Sequence, residues 1–417
     1  MKKVTFAILG MGNRGTAYAG KLLQHPDDAA ITAIADISST RTDAANKYIG
    51  LPESAVYPGE EALFAAGKLA DVLIIATQDS QHKEHALKAM ELGYDLILEK
   101  PISNKLDDIV AIAAAAERLN RQVLVCHVLR YTPFYRQVKQ LIEDGVIGKV
   151  QTVQATEDVG YYHIAHSFVR GNWHKEADSS PMILAKCCHD MDILVWLIDK
   201  HCQKLTSFGS LDYFRAENAP VGSTERCADC KLDCPFHANR FYISRIPGWP
   251  ANILHPEPTE ENITEILKTS NYGKCVFRMD NDVVDHQVVN MLMEDGITVT
   301  FQMSGFNNIQ TRTIRVMGTE GELWGDFHAN ELYWRRYGKE QQKVDIALSQ
   351  KSGHGGGDYG LIHDAIRYFR GDDFDTTSVT TIHRSVESHY MAFAAESSRV
   401  AGGELVSLDA FIKTIQK

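Results

Sequence analysis

The sequence has no long apolar run: nothing in its 417 residues reaches the roughly eighteen consecutive apolar residues that a membrane-spanning helix needs. It has no run of Lys or Arg either. With 43 basic against 54 acidic residues it carries a net charge of −11, which opposes general binding to nucleic acid or to an anionic membrane. It has no regular disulfide framework. Its 8 cysteines are mostly scattered, with Cys187 and Cys188 adjacent, and this usage fits a reducing, cytoplasmic setting. The segment from Met1 to Gly12 has two lysines and a short apolar stretch but no small-residue cleavage site, so a buried first strand is expected rather than a signal peptide. No internal repeat is visible.

What is present is globular: 44% apolar and 23% charged residues, in a chain long enough for two domains. The first part alternates strand and helix. Apolar runs at 4–10, 31–36, 71–77, 95–100 and 122–127 read as strands, with helices at 14–24, 81–92 and 106–119. That rhythm predicts a doubly wound parallel sheet, an α/β Rossmann domain over residues 1–128. Beyond it the pattern changes. Ile297, Val299, Phe301 and Met303 alternate with polar residues, and 311–317, 322–326 and 331–336 continue that period of two. With helices near 134–143, 183–198, 358–369 and 383–400, residues 129–417 read as an α+β domain with a large, mainly antiparallel open sheet. The stretch 217–258 has little periodicity and reads as an insertion or long loop.

Gly10, Gly12 and Gly15 form a G-x-G-x-x-G between the first strand and first helix, with Asn13 and Arg14 inside it. Gly10 suits the tight turn, Gly12 the approach of a pyrophosphate, and Gly15 close helix–strand packing. Asp36 ends the second strand, where a carboxylate binds the adenosine ribose and repels a 2′-phosphate. NAD is therefore expected over NADP, although Arg41 follows closely.

Further motifs carry a resemblance. Ala76, Thr77 and Gln78, then His82, then Glu99, Lys100 and Pro101 are similar to the signature of the Gfo/Idh/MocA oxidoreductases, the relatives of glucose–fructose oxidoreductase and inositol dehydrogenase. Arg130, Tyr131 and Pro133, Gly145 and Gly148, Trp173, the segment His189 to Asp192, the segment Ser385 to Met391 and the segment Ala395 to Ser397 extend it along nearly the whole chain. The resemblance implies that Thr77, His82, Glu99 and Pro101 belong to the cofactor site. It implies that Lys100, its direction fixed by a cis Lys100–Pro101 bond, lies beside the nicotinamide and the reacting hydroxyl. It also implies that His189 is the catalytic histidine. A strand-end lysine polarising an oxygen and an imidazole taking a proton suit that chemistry. One departure stands out: the family often has an aspartate four residues before this histidine, and here that position is Ala185. Lys186 and Asp192, each three residues from His189, would share its helix face. Lys186 is then a second catalytic cation, a group that depresses the His189 pKa, or a solvated lysine.

Tyr131, Tyr161, Arg170, Trp173 and His174 have the stacking and hydrogen-bonding character of carbohydrate sites. His354, before three glycines, suits a loop at the substrate mouth, and Asp358 is the alternative N-cap of the helix that follows. Cys227, Cys230, Cys234 and His237 have a spacing open to structural zinc or to a compact loop of reduced thiols. No metal is expected in the reaction. The expected function is NAD-dependent oxidation of a secondary alcohol on a sugar, glycoside or cyclitol by a homodimer or homotetramer. The alternatives are an NAD-recycling glycoside hydrolase working through a keto-sugar and a non-catalytic NAD-dependent sensor.

Overall fold

The computed structural model describes residues 3–346 and 354–415. Six short apolar segments build the first sheet: β1 (Val4–Leu9), β2 (Ala29–Ala35), β3 (Val56–Tyr57), β4 (Val72–Ile75), β5 (Asp95–Leu98) and β6 (Val123–Val125). All neighbours are parallel, in the order β3-β2-β1-β4-β5-β6. Helices on both faces explain why β1 and β4 are apolar almost throughout. The strand order reverses between β1 and β4, which opens a crevice at the carboxyl ends of the strands.

The second sheet has nine strands: β7 (Val150–Gly160), β8 (Cys202–Ser210), β9 (His286–Met293), β10 (Thr298–Asn307), β11 (Thr311–Gly318), β12 (Gly321–Asp326), β13 (Glu331–Arg336), β14 (Gln342–Lys343) and β15 (Val406–Ser407). Their order is β14-β13-β12-β11-β7-β10-β9-β8-β15, antiparallel except for the β7–β10 pair. Val299, Phe301 and Met303 of β10 are buried, while Thr298, Thr300 and Gln302 face outward. The inner face packs with the helices Cys188–Ile198 and Ile382–Val400.

Two departures from the sequence pattern matter for the site. The expected helix 183–198 is broken into Met182–Ala185 and Cys188–Ile198. At the break Lys186 reaches Glu157 on β7 instead of continuing the helix. The second departure is at the far end of the chain. Helix Gly357–Arg370 returns to the first sheet, where Leu361, Ile362 and Ala365 pack with Phe6, Ile8 and Val72. Gly356, not Asp358, is the N-cap of that helix. The Asp358 carboxylate pairs with Arg14 instead.

The interior between the two sheets holds several imidazoles. The rings of His389, His127 and His189 follow one another edge-on at 5.4 and 5.6 Å. Ile102 N donates to His389 Nε2 at 2.9 Å, and His389 Nδ1 lies 2.9 Å from the Ser385 carbonyl. Burial holds His127, His163 and His189 well below the ordinary imidazole range and takes His166 and His389 down to about 3. The folded chain therefore keeps these rings neutral at pH values where the unfolded chain protonates them. Acidification below about 6.5 favours the unfolded state, which takes up protons that the folded chain refuses. Urea unfolding at pH 7.5 and at pH 5.5 should show a clear loss of stability at the lower pH; equal midpoints would contradict this account.

Candidate active site

The glycine turn is built as its spacing requires. Gly10 has φ +93, and a Cβ there would stand 2.5 Å from the Ala76 carbonyl oxygen. A Cβ on Gly15 would meet the Gly10 carbonyl oxygen at 1.9 Å, so helix Asn13–Leu22 packs directly on the turn. A Cβ on Gly12 would meet only the Arg41 guanidinium, 3.7 Å away. No side chain caps the helix, which leaves its first N–H groups free for phosphate. Asp36 braces the turn: Met11 N donates to its Oδ2 at 2.7 Å and Ser38 N to its Oδ1 at 2.8 Å. Gly10, Gly12, Asn13, Arg14, Asp36 and Thr77 line one end of a cavity of about 700 Å³. This end has the room and the donors that a dinucleotide needs.

Arg14 does more than sit in the turn. Its Nε donates to Glu99 Oε1 at 2.7 Å, and its NH2 donates to Asp358 Oδ1 at 2.7 Å and to the Tyr18 hydroxyl at 2.6 Å. Glu99 also accepts from Tyr18 and from Lys100 N. Although burial opposes it, Arg14 together with Tyr18 holds Glu99 below the usual carboxylate range. His82 and Pro101 lie behind the cavity wall: the His82 ring bridges the carbonyls of Pro101 and Thr77, at 2.8 and 3.3 Å. The Lys100–Pro101 bond is cis.

Lys100, Lys186, His189 and Trp173 line the rest of the cavity, and His354 joins the two groups, its Nδ1 3.1 Å from Asp358 Oδ1 and 3.4 Å from the Arg14 guanidinium. Lys100 Nζ donates to the Ala185 carbonyl at 2.7 Å. His189 is buried, its Nδ1 without a hydrogen-bond partner among the described residues. Burial first, then Lys100, His127, Arg312 and His354, keep its imidazole neutral. Burial lowers the Lys186 pKa, Glu157 resists, and Arg312 and Lys100 add to the lowering. Trp173 Nε1 donates to Asp79 Oδ2 at 3.0 Å.

Several of the residues expected at the site have other partners in the fold. Tyr131 is buried and exchanges hydrogen bonds with Thr380, away from the cavity. Arg170 is buried and donates to the carbonyls of Lys274 and Phe236, holding the insertion in place. His174 Nδ1 lies 2.7 Å from the Gly171 carbonyl. Tyr161 packs edge-on against Tyr162 and Phe236. None of the four lines the cavity. Asp192 serves Arg130 rather than His189, accepting from its Nε at 2.7 Å and its NH2 at 2.5 Å. The helix break also removes the same-face relation between Lys186 and His189. Cys227 and Cys230 are joined by a turn, and the His237 ring meets the Cys230 carbonyl. Among the described residues no three His, Cys, Asp or Glu side chains are arranged to hold a metal ion.

The cavity also contains residues not anticipated from the sequence: Asp79, His163, Gln310, Arg312 and His328, together with Arg245, Trp249 and Ile253 from the insertion and Tyr272 beyond it. Asp79 follows β4, and strand-end position was its available signal. Arg312 opens β11. The insertion residues had none, because no period marks them.

Residues 4–127 match the family profile GFO_IDH_MocA, an oxidoreductase family with an NAD-binding Rossmann fold. Residues 135–231 match the GFO/IDH/MocA C-terminal domain. YteT of Bacillus subtilis is 23% identical over 314 residues, 70% of this chain and 71% of its own. The 2,7-anhydro-N-acetylneuraminate hydratase of Mediterraneibacter gnavus is 27% identical over 209 residues, 50% of this chain and 53% of its own. Among solved structures, an inositol dehydrogenase homolog from Azotobacter vinelandii, complexed with NADH and myo-inositol, superposes with a TM-score of 0.69. It covers 97% of this chain and 98% of its own at 16% identity, a likeness of fold.

Arg14 pairs with two buried carboxylates, so Arg14→Met removes an ion-pair partner from both and leaves Glu99 to Tyr18 and Lys100 and Asp358 to His354. Breaking such a pair costs about 3 kcal/mol. Urea unfolding at pH 7 should show a loss of that order, and a change under about 0.5 kcal/mol would remove the clamp from this account.

Proposed function

The chain belongs to the Gfo/Idh/MocA family of NAD-binding oxidoreductases, and from that premise we propose that it oxidises a secondary alcohol on a sugar, glycoside or cyclitol. The observation that carries this reading is the shared cavity. The glycine turn lines one end, and Lys100 and His189 line the other. When bound, the nicotinamide accepts the hydride from the carbinol carbon. Lys100, anchored on the Ala185 carbonyl, turns its remaining N–H groups to the substrate oxygen and stabilises the charge that develops there. His189, held neutral, accepts the hydroxyl proton. Alcohol becomes ketone; one hydride and one proton leave. The position of Asp36 supports NAD over NADP. The outward Thr298, Thr300 and Gln302 of the second sheet offer a face for a homodimer or homotetramer. Among the described residues no helix is long and apolar enough to cross a membrane.

A second reading has its own support. Arg245, Trp249 and Ile253 of the insertion and Tyr272 beyond it line the cavity, and Lys47 on the helix after β2 pairs with Glu257 of the insertion at 2.5 Å. A covered cofactor suits a cycle in which the substrate is oxidised, eliminated or hydrated, and reduced again, with NAD returned to its starting state. The likeness to a hydratase points the same way. Product release without net NADH selects this reading; stoichiometric NADH selects the first.

Lys100→Met should lower turnover by about a hundredfold or more, with NAD affinity retained in calorimetry. Full turnover by that variant overturns both readings.

A further inference from the structure

Lys100 and His189 lie outside the insertion, yet the insertion supplies one wall of their cavity through Arg245, Trp249 and Ile253. That wall is held by a small core, in which Ala238, Tyr242 and Ala251 are buried with Ile263 and Leu267 of the helix Glu260–Thr269. The Trp249 indole stands at its centre. It meets the rings of His163 at 5.0 Å, His166 at 5.3 Å and Tyr162 at 6.2 Å, each at a steep angle, and all three line the cavity. Burial, then the Lys186 ammonium, keep the His163 imidazole neutral, and Lys100 adds to the effect, so this ring stands beside the reacting groups. In the other direction Arg245 is exposed, its guanidinium 5.5 Å from the Tyr162 ring. From Lys100 and Lys186 outward, the wall runs through His163, Trp249 and Tyr162 to Arg245 at the mouth.

The groups along this wall suit a flat ring that carries hydroxyls. His163 Nδ1 donates to Gln310 Oε1 at 2.5 Å, so its Nε2 keeps a lone pair, and no described residue donates to it. The Trp249 Nε1–H has no acceptor among the described residues, whereas the Trp173 indole donates to Asp79. One acceptor, one donor and an indole face thus stand together, outside the place of the reacting hydroxyl. A ring with an apolar face stacks on such an indole, and its polar rim gives and takes the hydrogen bonds. A cyclitol or free monosaccharide held at Lys100 leaves Trp249 unused. Resting on the hydride-transfer reading above, we propose that the substrate is a glycoside, whose oxidised ring sits at Lys100 and His189 and whose second ring packs on Trp249. A sugar and an aryl aglycone share the flat apolar face that the indole accepts, and the test below separates them.

The full chain with NAD is given the methyl, benzyl and glucosyl glycosides of glucose and galactose in both anomers, with myo-inositol alongside. Turnover is read both as NADH and as released aglycone. Methanol and benzyl alcohol are alike as leaving groups, so their ratio reads contact with the second ring. A two-ring glycoside should exceed the methyl glycoside of the same sugar in kcat/KM by about tenfold or more. Trp249→Ala should bring that ratio close to one, and Trp249→Phe should keep most of it. A disaccharide in the lead identifies the second ring as a sugar, and a benzyl glycoside in the lead identifies it as an aryl group. Equal turnover of methyl and two-ring glycosides, a preference for myo-inositol, or a ratio unchanged in Trp249→Ala overturns the proposal and leaves the hydride-transfer reading intact. Calorimetry on the NADH-saturated protein tells the two failures apart. Trp249-dependent binding of two-ring glycosides with no turnover by either readout sustains the ring site and overturns the hydride-transfer reading; neither binding nor turnover overturns the proposal.

Discussion

The interaction on which the rest depends is the Arg14 guanidinium held between Glu99 and Asp358. It joins the glycine turn, the end of β5 and the helix that returns from the far end of the chain. Glu99 precedes Lys100 and accepts a hydrogen bond from its backbone N–H, so the lysine is referenced to the same cation that stands in the phosphate turn. The clamp is nearly dry: the side chains of Glu99 and Asp358 are 8% and 3% exposed. In such surroundings three charges position one another more strictly than they would in water. The arginine of the glycine motif is thus also the joint between the glycine turn, the end of β5 and the returning helix.

How much of this was legible in the sequence depends on whether a residue answers to a local rule. β1 and β4 are covered on both faces and show uninterrupted apolar runs, so their parallel sheet could be read directly. β10 has one wet face and shows its period of two. β7 does not. Its Glu157 points into the interior, where an alternating strand would have an apolar residue, and Arg312 from β11 neutralises it. The failure of the pattern at that position marks the site. Lys100 and His189 were found by resemblance, and the fold places both on one cavity.

The misread residues share a different cause. Tyr131 and Arg170 have the chemistry of sugar ligands, but an equally good use for it lies within the chain, at Thr380 and at the carbonyls of Lys274 and Phe236. Those partners are distant in sequence, and no spacing rule announces them. The insertion is the same problem seen from the other side. Trp249 and Tyr272 reach the cavity through packing with His166, where Tyr272 stacks on the imidazole at 5.1 Å and Trp249 meets it edge-on at 5.3 Å. Contacts of that kind follow from the assembled fold and leave no period behind them.

Ala185, where relatives often have a carboxylate, leaves Lys100 a carbonyl oxygen as its hydrogen-bond partner. The two ends of the cavity are nevertheless coupled, because Glu99 accepts both from the Arg14 guanidinium and from the Lys100 backbone N–H. At the substrate end the charges are shared rather than isolated: Glu157 and Asp190 answer Arg312 and Lys186, and Asp79 and Glu99 stand near Lys100. Burial, and not an excess of cations, is therefore the first cause that lowers Lys186 and keeps the His189 imidazole neutral, the state in which it can accept a proton.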